Sequence, residues 1–182
     1  MAEYELVRHC APTLAGLKTA NLFSAFYATK AELDHDIRIL NRRLRVKGLR
    51  IIPFSYKDGR ALIYIYRPKM LQEDLSCKLA ENYLAEHGYE PLKPGLCLLK
   101  LIKRIKTGRD FPHEIGFFLG YPAEDVIGFM NNRKECKLCG CWKVYHNEQD
   151  ARKTFRTFDK CTECFCCRVK EGMSISELAV AT

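Results

Sequence analysis

Seven of the chain's ten cysteines fall in one short stretch: Cys136, Cys139, Cys141, Cys161, Cys164, Cys166 and Cys167. Two of the intervals, Cys136–Cys139 and Cys161–Cys164, are C-x-x-C. Two such pairs, about fifteen to twenty residues apart, are the sequence form of a four-thiolate metal site. Here the gap is slightly longer, and one amphipathic segment fills it. Thiolates at these spacings suit zinc in tetrahedral geometry, about 2.3 Å from each sulfur. Cys141, Cys166 and Cys167 stand as substitute ligands, and with them the set also suits an iron–sulfur cluster. A redox dithiol remains open, as does a set of spare thiols packed as small hydrophobes.

A chain of 182 residues with 47% apolar composition can bury a real core, so cysteines are not required as disulfide staples. No uncharged apolar run reaches the length of a membrane helix. The start, Met1 to Leu6, lacks the basic and apolar regions of a signal peptide. The expected location is therefore the cytoplasm, with no membrane partner, where thiols stay reduced. The formal charge of +8 is concentrated in two runs, Asn41–Arg50 and Lys100–Arg109. Such runs usually form solvated helix ends that complement the helix dipole. Their functional reading is an anionic ligand, an acidic protein partner or nucleic acid. Nucleic acid ranks last, because no aromatic–basic stacking pattern accompanies the runs.

Hydrophobic spacing predicts a helix from Pro12 to about Tyr27, with Leu14, Leu17, Phe23 and Phe26 inward. A second follows from the Thr29-x-x-Glu32 capping box to Gly48. Leu49–Tyr56 and Ala61–Tyr66 read as strands joined at Asp58-Gly59, a hairpin signal, and Pro53 marks the first as an edge. Helices are then expected over 69–87, from Pro94 to near Gly108, from Pro112 to Gly120 and from Pro122 to Met130. Trp142–Tyr145 reads as a short strand, Asn147–Phe158 as a helix, and 161–180 as part helix. The fold class is α+β: a helix-rich single domain on a small antiparallel sheet, with a Cys-rich C-terminal segment. Residues 1–133 form the helical body, with the hairpin at about 49–66. Residues 134–182 form the cysteine-rich strand–helix–helix segment of the same domain.

Three stretches taken together carry a resemblance. They are His9–Lys18, Phe111–Pro122 running into Glu124–Phe129, and Trp142–Tyr145. They resemble the DUF3793 family, a domain of unknown function from clostridia-type anaerobic bacteria. The resemblance spans nearly the whole chain. It implies a cytosolic bacterial protein acting as a stand-alone domain, and it implies no reaction.

Cys10 stands just ahead of the expected helix start at Pro12, where the dipole would lower a thiol pKa. That makes it a candidate nucleophile, with His9 beside it and His113 and Glu114 as assisting groups if the fold joins them. His113-Glu114 is not a zincin motif, since Phe117 occupies the place of the second histidine. No phosphate-binding loop or dinucleotide fingerprint is present. The helix start near Thr13 and Lys18 is a candidate anion site. The leading reading is a metal-binding accessory protein whose body recognises a partner. The alternatives are a cysteine-dependent enzyme or redox protein and a nucleic-acid binder.

Overall fold

The computed structural model describes residues 3–108, 110–131 and 135–181. The first helix, α1 (Glu3–Leu14), ends at Gly16, whose φ of 77° is left-handed backbone that glycine adopts without strain. The chain then enters β1 (Ala20–Phe26). This corrects the expected helix from Pro12 to Tyr27. Pro12 lies inside the last turn of α1 rather than at a helix start. Leu17 and Phe26, which the helical spacing placed inward, are 46% and 76% exposed. The apolar spacing ran across a glycine stop and matched the helical period by coincidence.

Helix α2 (Lys30–Leu44) starts as expected: Thr29 accepts from the Glu32 amide, and Glu32 accepts from the Ala28 amide. A 3-10 turn, Arg45–Lys47, leads through Gly48 into β2 (Arg50–Lys57) and β3 (Arg60–Tyr66). These pair antiparallel around Asp58 and Gly59, both left-handed, with φ of 50° and 76°. That is the turn their sequence favours. β3 is central and β1 and β2 are edges, so Pro53 sits on an edge strand. A register shift between Pro53 and Ser55 accommodates it.

The chain then adds α3 (Pro68–Leu75), α4 (Lys78–Glu86), α5 (Pro94–Thr107), α6 (Ile115–Phe118) and α7 (Ala123–Met130). The hairpin β4 (Leu138–Cys139) and β5 (Lys143–Val144), the long α8 (Glu148–Lys170) and α9 (Ile175–Leu178) complete it. The helix expected over 69–87 is two helices. It breaks where the Ser76 hydroxyl bonds back to the Gln72 carbonyl at 2.7 Å. The fold is thus a helix-rich α+β structure with a three-stranded antiparallel sheet.

The chain forms two compact units, residues 1–69 with 160–182, and residues 70–159. The expected boundary at 133/134 falls on residues outside those described, as does Arg109 of the second basic run.

In the first unit, Leu6, Val7, Cys10 and Leu14 of α1 pack with Leu33, Ile37, Leu40 and Leu44 of α2 and with Ile51, Ile63 and Ile65 of the sheet. Ile175 and Leu178 of α9 close this core. Arg67, fully buried, ties it together. Its Nε donates to the Thr13 carbonyl at 2.7 Å, and Nη2 donates to the carbonyls of Leu14 and Val180 at 2.7 and 2.8 Å. Two of these carbonyls belong to the last α1 turn, where they also accept the Gly16 and Val180 N–H groups and where a cation meets the negative end of the dipole. Burial lowers the Arg67 pKa from its ordinary value.

Candidate functional site

In the second unit, α7 opens with Glu124 and Asp125 in its first turn, a common position for acids. Asp125 does more than complement the dipole. It is buried, and its Oδ1 accepts the backbone N–H groups of Tyr145 at 2.7 Å and His146 at 3.0 Å. Its Oδ2 accepts the Trp142 indole N–H at 2.8 Å. These three bonds fix the β4–β5 hairpin to α7. Gly128 leaves room for the approach, since a methyl group there would lie 2.9 Å from the Tyr145 ring.

The anchored hairpin closes one side of a cavity of about 300 Å³. Trp142 stacks on Tyr121 with ring centroids 5.2 Å apart, and the edge of Phe155 meets it at 4.5 Å. His113 meets Phe129 edge-on at 4.9 Å, and the Lys143 ammonium lies 5.3 Å from the centre of the Phe129 ring. Ile115, Gly116 and Val126 complete the mainly apolar lining. Burial, and secondarily the nearby Cys141 thiol, push the Tyr121 hydroxyl up to about 12. A small apolar cavity with a few polar groups is the common form of a ligand site.

Glu114 serves a different purpose in the same unit. It is buried and accepts from the Tyr89 hydroxyl and the Arg104 guanidinium, each at 2.7 Å. This ties α5 to the approach to α6. Burial, reinforced by the Glu114 carboxylate, raises the Tyr89 pKa. His113, one residue earlier, points to the cavity instead. The two proposed assistants of a nucleophile therefore do separate work.

Cys10, in the first unit, is 0% exposed. It sits well inside α1 rather than ahead of a helix start, so the dipole argument for a lowered pKa does not apply. Burial raises its pKa, and Lys18 opposes the rise only in part. His9 stacks on Phe23 at 5.4 Å and lies 3.9 Å from Glu5. Of the residues expected at a helix start, Thr13 lies in the last turn of α1 and Lys18 follows its C-terminal end. There the dipole repels anions, and the Thr13 hydroxyl bonds Asn21 at 2.7 Å.

Cys136, Cys139 and Cys141 lie on or beside the β4–β5 hairpin of the second unit. Cys161, Cys164, Cys166 and Cys167 lie on α8 in the first. The helix expected to end at Phe158 continues to Lys170, so the second C-x-x-C is a helical pair and not a loop knuckle. Cys161 and Cys166 pack against the first core. Burial, and then the adjacent Cys164, push the Cys161 thiol up to about 11. Among the described residues no three His, Cys, Asp or Glu side chains are grouped to hold a metal ion.

Sequence reasoning named His113 but not Tyr121, Asp125, Phe129, Trp142 or Lys143. The signal lay in the motifs: Phe111–Phe129 and Trp142–Tyr145 are two of the three stretches that carried the family resemblance. Together they build the cavity.

An α+β protein with an aromatic-lined cavity is the class that fold and site define. The chain belongs to the DUF3793 family of proteins of unknown function, whose profile matches residues 6–179. No curated protein and no solved structure matches it. Among the described residues no helix is long and apolar enough to cross a membrane.

Proposed function

We propose that this protein is a cytoplasmic binding protein whose ligand site is the cavity of the second unit, and not a Cys10-dependent enzyme. One observation carries the reading. Two stretches far apart in sequence, held together through Asp125, line one apolar cavity. The exposed thiols Cys77, Cys139, Cys141, Cys164 and Cys167 fit a compartment in which thiols stay reduced. Trp142, the chain's single tryptophan, lines the cavity and supplies the test. Titration with benzyl alcohol should change its fluorescence saturably, and Val126→Phe, which fills the cavity, should abolish the change while leaving the far-UV dichroism intact. A response that does not saturate, or that survives Val126→Phe, contradicts the proposal.

A second reading is metal binding. It is favoured by three thiols within six residues on an anchored hairpin. Cys136 and Cys139, with Cys141 as a substitute, would supply one pair of thiolates for zinc, or secondarily for an iron–sulfur cluster. Cys161 and Cys164, one helical turn apart on α8, are a second candidate pair of thiolates, since i,i+3 side chains are neighbours. Cys166 and Cys167 are alternates on the same helix. Elemental analysis and a visible spectrum of protein purified without air decide it. Stoichiometric zinc or iron lost in Cys139→Ser supports the reading, and metal-free protein with freely titrating thiols removes it.

A further inference from the structure

The cavity lining carries one carboxylate and one ammonium, and the two are engaged very differently. Asp125 is its one carboxylate, and three N–H donors already occupy both of its oxygens. The His146 ring nitrogen lies 3.4 Å from Oδ1 as well, so a ligand ammonium would find a buried and mostly occupied acceptor. Lys143 is the opposite case. It is exposed, lines the cavity and has no carboxylate partner among the described residues. Its ammonium lies over the Phe129 ring, a weak cation–π contact at an exposed site. His113 stands on the same ring and adds no negative charge. The remaining lining offers flat faces, from Tyr121, Phe129 and Trp142, which favour offset or edge-on packing of another ring.

The geometry points to a small aromatic carboxylate as the ligand class, with its ring between Tyr121, Trp142 and Phe129 and its carboxylate on the Lys143 ammonium. This rests on the cavity being the ligand site and adds which chemistry it selects. A charge-assisted hydrogen bond from an ammonium already poised at the cavity gives selectivity. An ammonium-bearing ring meets like charge at Lys143 and a buried, mostly occupied acid, so it is disfavoured by repulsion as well as by lost attraction.

Three one-ring probes of nearly equal shape test this by calorimetry and Trp142 fluorescence: benzoate, benzyl alcohol and benzylammonium. Benzoate should bind on the order of tenfold tighter than benzyl alcohol, and benzylammonium should bind weakest. Lys143→Gln, at an exposed position that leaves the packing intact, should remove the benzoate preference and keep benzyl alcohol binding. Lys143→Arg should retain the preference. Equal binding of benzoate and benzyl alcohol, unchanged by Lys143→Gln, overturns the ligand class while leaving the cavity as a binding site. Tightest binding of benzylammonium overturns it likewise. If none of the three binds, the site itself falls, and the ligand class with it.

Discussion

The indole N–H of Trp142 donates to Oδ2 of Asp125 at 2.8 Å, so an aromatic wall of the cavity is held by a buried acid seventeen residues earlier. Substituting Asp125→Asn keeps the shape but turns an amide N–H₂ toward donors and removes the charge. Unpairing hydrogen bonds to a buried charge costs about 1.5–3 kcal/mol each, with some recovered by relaxation. The variant should therefore lose roughly 2–4 kcal/mol in urea unfolding followed by Trp142 fluorescence. A loss below about 0.5 kcal/mol, the level of an ordinary surface change, would show that the hairpin is held by packing alone.

Arg67 is the comparable anchor in the first unit. Arg67→Met removes a donor from the carbonyls of Thr13, Leu14, Lys47 and Val180 while roughly filling the space. About 3 kcal/mol should be lost, because several charge-assisted hydrogen bonds to buried carbonyls go at once. Arg67→Lys should be nearly as damaging, since an ammonium does not reproduce the planar fork. Thermal unfolding followed by circular dichroism checks both, and a lysine variant as stable as the parent would contradict the account.

The hairpin β2–β3, the edge position of Pro53 and the Thr29 cap were legible because each depends on neighbours in sequence. Local turn and cap chemistry leaves few alternatives. The strand β1 was not legible: Leu14, Leu17, Phe23 and Phe26 mimic a helical stripe, and only the left-handed Gly16 separates α1 from β1. The cavity was half legible. Its motifs were visible as family-like stretches, but the role of Asp125 depends on three donors supplied by residues 142–146. Nothing local predicts that pairing. The cysteine tail was legible in composition but not in local structure. C-x-x-C reads as a loop knuckle, yet Cys161–Cys167 continue the helical face of α8, with Cys161, Phe165, Cys166 and Val169 turned to the first core.

Thiol reactivity should follow burial. Iodoacetamide should label Cys139, Cys141, Cys164 and Cys167 in native protein and leave Cys10 untouched, as read by peptide mass spectrometry. Native labelling of Cys10 at a rate near that of Cys139 would revive the nucleophile reading.

The raised thiol pKa values also set a direction with pH. In the folded state Cys10 and Cys161 hold their protons above the ordinary value of 9.0, whereas the unfolded thiols ionise there. Above that pH the folded state binds more protons than the unfolded state, so stability falls as pH rises. The melting temperature should decline from about pH 9 upward, and Cys10→Ala should flatten part of the decline. A melting temperature that rises over this range contradicts the assignment.

The central claim is that the cavity of the second unit is a ligand site, and an amide-correlation NMR titration with benzoate tests it most directly. The account predicts saturable shifts confined to the Trp142 indole and the backbone around Gly116, Val126, Phe129 and Lys143, all lost in Val126→Phe. Shifts scattered over both units, or none at concentrations that saturate a one-ring ligand, would contradict it.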